Sequence, residues 1–200
     1  VQKQDGLSIF SVDTTNNAVK AGSTASYVNS QFTTFGIRDI SPVAGTHYPM
    51  FCAPNMIDAS SQAIDLSVLN MGTGSTPSAS LTIDATSEAQ LFLHTYFVAP
   101  ANITVDSLQY LISADASITA NIYAYQYTMS TSGATSGDLS SGSSLGSATS
   151  IAVSDANRIV YGTISSGTSV SSGKVILVMV ENTASTTDLT CKVDMRWHLS

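Results

Sequence analysis

A chain of 200 residues is enough for one β domain, or a domain plus an arm, and it buries roughly 70% of its unfolded surface, so its stability calls for neither a metal nor a disulfide framework. Only 10% of the residues are charged, and fourteen acids against seven bases leave −7, which excludes the clustered Lys and Arg that nucleic acid or an anionic membrane surface requires. Mean hydropathy is +0.18, yet no apolar run approaches the ~18 residues of a spanning helix, and no basic segment followed by an apolar one marks a signal peptide at the start.

In chain order, Leu7–Val12 alternates briefly, Asp13-Thr-Thr-Asn-Asn17 is a turn because Asp and Asn side chains cap local amides, and Ala18–Gly22 follows. Together they predict a small hairpin or strand–turn–strand arm. Residues 23–60 are less regular, and Pro42, Pro49 and Pro54 cannot donate to a ladder. The same stretch carries Tyr48, Met50, Phe51 and Met56, large apolar side chains that must dock somewhere. They are candidate interface residues on two readings: packing over the chain's own sandwich, or an arm lying on a neighbouring subunit. A strand is expected around Ile64–Leu69, and Gly72–Ser78 is a break.

From Ala79 the expected strands come regularly. Ala79–Ala85 alternates, Leu91–Val98 is apolar on both faces, and Ile103–Ser113 and Ala116–Thr128 are separated by Ala114-Asp115. On the last of these, Tyr123, Tyr125 and Tyr127 fall on one face, either as a packing row or as a platform on which sugar rings stack. Ser130–Ser150 has 16 Ser, Thr or Gly among 21 residues and reads as a long exposed loop or a weak edge strand near Leu139–Leu145. Asn157–Ile164 is a further strand. Val175–Val180 is six apolar residues in a row, the mark of a strand covered on both faces. In Asp188–Ser200, Leu189, Cys191, Val193, Met195, Trp197 and Leu199 alternate with polar residues, giving one dry face and one wet face. The expectation is an all-β antiparallel sandwich, jelly-roll or Greek-key like, over 78–200, with an irregular N-terminal arm and docking stretch over 1–77.

Side-chain chemistry is sparse. His47, His94 and His198 lie on three segments with no metal-ligand spacing; His94 reads as a core or interface histidine and His198 as solvated. Twelve of the fourteen acids are Asp, mostly single and in turns, and Asp155-Ala-Asn157 is more a turn than a calcium loop. No nucleophile elbow and no phosphate-binding Gly loop with Lys occurs. Cys191 reads as a small buried thiol, with Cys52 far from it in sequence. No catalytic residue, metal or cofactor is nominated, and a non-enzymatic protein is expected.

Phe10-Ser-Val-Asp-Thr-Thr-Asn-Asn-Ala-Val19 resembles the FSVDTTNN-x-V segment that recurs in tail-fibre, tail-spike and related virion proteins of tailed bacteriophages, ahead of a β-rich head. The likeness covers about ten residues, and the usual V-G-I-G-T continuation is replaced by Val19-Lys-Ala-Gly-Ser23. The resemblance implies a virion structural protein that decorates or cements a capsid or forms a fibre or knob. Its partners would be itself, as a homotrimer, and other virion proteins. The alternative is a carbohydrate-binding adhesin at a fibre tip, with a host surface glycan as partner. The short leader before the sandwich favours a compact decoration role over a fibre tip.

Overall fold

The computed structural model describes residues 10–13, 18–21, 30–52, 69–154 and 158–200. Two short strands, β1 (Phe10–Asp13) and β2 (Ala18–Ala21), pair antiparallel as the expected hairpin; the turn residues between them lie outside the described residues. The other strands form two facing antiparallel sheets. They are β3 (Gln31–Ile40), β4 (Tyr48–Pro49), β5 (Phe97–Val98), β6 (Ile103–Ala114), β7 (Ile118–Met129), β8 (Leu139–Val153), β9 (Val160–Val170), β10 (Val175–Asn182) and β11 (Leu189–Leu199). One sheet has the order β4-β10-β7-β8, with β5 beside β10 on the edge that β4 also uses; the other has the order β3-β11-β6-β9.

The pairing is nested. β7 pairs with β8, β6 with β9, β4 with β10 and β3 with β11, as if one long hairpin had been rolled up so that alternate strand pairs fall into opposite sheets. Eight strands in two sheets connected in this way are a jelly roll. The strict alternation of the last strand explains half of it. Leu189, Cys191, Val193 and Met195 point into the space between the sheets, where they meet Phe35, Ile37, Leu108, Tyr110 and Ile112 of the flanking strands, while Thr190, Lys192 and Arg196 face water. In β10 every residue is buried because both of its faces are covered. Ile176, Val178 and Val180, level with Gln126, Ala124 and Ile122 of β7, face the second sheet. Leu177, Met179 and Glu181, level with Tyr125, Tyr123 and Asn121, face outward beneath a further layer.

That layer is the long connection between β4 and β6, and it holds several corrections to the sequence reading. Leu91–Val98 is not one strand: Thr86–Leu93 is a helix, α1, and only Phe97–Val98 is extended. The Glu88 carboxylate starts the helix by accepting the backbone N–H groups of Asp84 and Ala85. Ala79–Ala85 forms no strand; a single bridge joins Leu81 to Leu139. Of the two readings of the serine-rich stretch, the edge strand holds and runs further than expected: β8, the longest strand among the described residues, lies at a sheet edge and extends past Leu145 to Val153, with three register shifts against β7. The boundary at 77/78 also moves, because β3 and β4 belong to the two sheets and the sandwich takes in residues from Gln31 onward. Of the strand expected at Ile64–Leu69, only Leu69 is among the described residues.

Candidate functional site

The tyrosine row faces outward from the β7 sheet but does not face water. Tyr123 is 4% exposed and Tyr127 0%, with Tyr125 half-buried between them and stacked on Tyr127 at 6.2 Å between ring centroids. The 69–81 segment crosses over the row, and its carbonyls take the phenol protons: Tyr123 donates to Ser75 O at 3.1 Å and Tyr127 to Ser78 O at 3.0 Å. Burial raises the pKa of both hydroxyls; Glu181 adds to this at Tyr123, and Tyr125 and Tyr96 add to it at Tyr127. The segment fits this closely because Gly142 on β8 has no side chain. A Cβ there would lie 2.5 Å from Tyr127 and 2.9 Å from the Ala79 Cα. Two of the three rings, Tyr123 and Tyr127, are closed off beneath the segment, and Tyr125 is half-buried.

The irregular stretch before it is also internal. Tyr48, Met50 and Phe51 are buried in the chain's own core, which matches packing over the sandwich and leaves none of the three on a surface; Met56 lies outside the described residues. Pro49 sits at the sheet edge, where a missing N–H costs least. Tyr48 accepts the Val43 N–H on its hydroxyl, and Gly36 and Phe51 exchange two backbone hydrogen bonds of 2.9 Å.

Beside the row is a buried polar cluster that no sequence motif announces. His47 is fully buried. Its Nδ1 lies 3.0 Å from Gly72 O, and its Nε2 lies 3.6 Å from Glu181 Oε2 with no hydrogen-bond partner. Asn121 Nδ2 donates to the same Glu181 oxygen at 2.8 Å, and the Tyr123 ring meets the imidazole edge-on at 5.1 Å. The other two histidines are elsewhere. His94 caps the C-terminus of α1 and is exposed, contrary to the core reading. His198 is half-buried, with Nδ1 2.9 Å from Asp106, rather than solvated. Cys191 is fully buried and Cys52 partly so, and both are free thiols; burial pushes Cys52 up to about 11 and raises Cys191 further.

Two other features emerge only from the fold. Asp39, Asp115 and Asp188, from three distant segments, bring carboxylate oxygens within 4.8 Å of one another at one end of the sandwich. At the other end of β7, an apolar hollow of about 360 Å³ lies between α1 and the β7–β8 turn, lined by Ile83, Ala89, Phe92, Leu93, Tyr96 and Met129 among others. Asp155–Asn157 lies outside the described residues.

No family model and no curated protein matches this chain. Among solved structures it is similar to a chain of infectious bursal disease virus, Gt strain, with 8% identity and a TM-score of 0.22 over 90% of this chain and 44% of that one. It is also similar to a chain of the Gx strain of that virus, with 10% identity and a TM-score of 0.17 over 95% of this chain and 72% of that one. A third chain, from the T13 particle of the same virus, has 9% identity and a TM-score of 0.17, covering 90% and 42%. The chain thus spans less than half the length of the first and third of these. At such TM-scores the likeness carries no argument about fold or function.

Proposed function

We propose that this chain is a non-enzymatic structural protein of a tailed-phage virion, a homotrimeric jelly-roll block that decorates or cements the capsid or forms a fibre knob. The observation that carries the reading is the nested eight-strand jelly roll, an architecture used in viral capsid and lectin domains and in cupins. A fold alone hosts many functions, so the choice among these rests on what surrounds it. The lectin reading draws on the tyrosine row, and that row lies under the 69–81 segment. The Phe10–Val19 likeness to phage tail proteins and the charge-poor, Ser- and Thr-rich surface favour the virion. No helix among the described residues is long and apolar enough to cross a membrane.

The test is to incubate fluorescently tagged protein with purified particles of its tailed phage made from a genome in which the gene is deleted, then sediment them. Saturable co-sedimentation at a fixed stoichiometry is expected. Protein that stays in the supernatant, beside particles that are intact and infectious without it, would reject the assignment.

A further inference from the structure

We propose that the charge-free side of the sandwich formed by β8 and β9 is the surface through which copies of this chain meet around a three-fold axis, β9 of each copy lying against β8 of the next. This rests on the homotrimer put forward above and names the face that builds it.

Charge selects the side. β8 and β9 end their respective sheets and lie against each other across the sandwich: a Cβ on Gly146 would come within 2.6 Å of Ile164 Cγ2 and 3.2 Å of Ser165 O. Neither the fifteen residues of β8 nor the eleven of β9 include a charged side chain or a proline. Asp138 stands just ahead of β8, and Arg158 just ahead of β9, at the ends of this side. A chain with a net charge of −7 is repelled by its own copies, and it approaches them most easily where its surface is neutral.

The opposite side is closed. β3 carries Arg38 and Asp39, β4 holds Pro49, and Gly36 and Phe51 exchange backbone hydrogen bonds there. Charge and proline are ordinary protections of a sheet edge, and β9 has neither. Over Val160–Ser165 it pairs residue for residue with Ser107–Ile112, and no strand among the described residues lies beyond it. Every second backbone N–H and C=O of that run therefore points away from its own sheet. A neighbour's β8 supplies what these groups need. Ser141, Ser143, Ser147 and Thr149 are exposed along it, and a hydroxyl both donates and accepts.

An apolar anchor flanks the open edge. Tyr161 is 61% exposed beside its cross-strand partner Leu111, with Ile159 68% exposed just ahead of the strand. Large apolar side chains clustered on a hydroxyl-rich surface mark contact with another chain. Each copy presents two different edges, so the contact is head-to-tail, the kind that closes into a ring. Because both edges lie on one side, successive copies turn about a common axis and do not extend into a filament.

The test is sedimentation equilibrium on the full chain, for wild type, Ser147→Asp on β8, Thr163→Asp on β9, and Ser87→Asp on α1 as a control for charge alone. Circular dichroism checks that each variant is folded. Wild type is expected to sediment as three 20.8 kDa chains. Both strand variants should weaken the assembly by about a hundredfold or more, because each buries an unpaired carboxylate in it, while Ser87→Asp leaves it intact. Hydrogen exchange on wild type needs no variant: alternate amides of Val160–Ser165 should be protected in concentrated protein and exposed on dilution. A wild-type trimer that survives both strand substitutions, with those amides exchanging freely, would overturn the face and leave the homotrimer standing. A wild-type monomer at every concentration would overturn both. A dimer broken by Thr163→Asp and untouched by Ser147→Asp would overturn the three-fold arrangement in favour of β9 pairing with itself.

Discussion

Truncating Tyr127 to alanine tests whether the tyrosine row is structural. The ring is fully buried between β7, its neighbour Tyr125 and the 69–81 segment, and its hydroxyl donates to Ser78 O at 3.0 Å. Removing a buried aromatic of this size costs about 3–5 kcal/mol, and leaving the Ser78 carbonyl without its donor adds about 1 kcal/mol. In a chain of this length each kcal/mol shifts the melting point by roughly 2–4 °C, so Tyr127→Ala should melt some 10–20 °C below wild type. Tyr127→Phe keeps the ring and loses only the hydrogen bond, about 0.5–1.5 kcal/mol. Tyr125→Ala, at the half-buried position, should fall between them. The assay is urea unfolding with linear extrapolation, supported by melting curves. A Tyr127→Ala protein as stable as wild type to within about 1 kcal/mol would refute that packing role, all the more if it lost binding to an immobilised glycan while staying folded.

Gly142→Ala puts a methyl group against the Tyr127 ring and the Ala79 backbone, and the strain of about 1–3 kcal/mol should outweigh the fraction of a kcal/mol gained by removing a strand glycine. A disulfide reagent at pH 8 should modify neither thiol quickly in the native protein, because burial raises both; Cys52 should react before Cys191, and both at once in urea. Partial burial works against the Asp194 carboxylate, but hydrogen bonds from Lys192 and Thr34, with the Lys192 charge, lower its pKa on balance. The stability it contributes is present above the usual aspartate value near 3.9 and is lost as pH falls through the lowered one, so Asp194→Asn should differ from wild type at pH 6 and converge with it in strong acid.

Strands with a single side-chain period were legible in the sequence. β6, β7, β10 and β11 fall close to where alternation or an unbroken apolar run placed them, since each lies in the middle of a sheet with its register set by burial. β8 was not legible along its length because it is an edge strand. Positive φ at Ser141 and Ser150 comes with register shifts against β7, and its buried anchors Leu139, Leu145, Ile151 and Val153 keep one parity but are spaced six, six and two apart among Ser, Gly, Ala and Thr, too sparsely to show a period. Leu91–Val98 misled because a helix packed on a sheet face and a doubly covered strand are both apolar over eight residues; the deciding signal was Glu88 three positions after Ala85. β3 was hidden by its exposed first turn of sequence, Gln31 and Phe32, and is held by pairing with β11 rather than by its own pattern. The buried His47–Glu181 pair and the three-aspartate cluster join residues more than 70 positions apart, so no local spacing could reveal them.

Cryo-electron microscopy of a purified phage particle carrying this protein tests the account most directly. The account predicts density on the particle into which the two sheets, β4-β10-β7-β8 and β3-β11-β6-β9, fit as repeated copies touching one another or the underlying shell. Complete particles with no such density, in a preparation where the protein is found only free in the lysate, would contradict it.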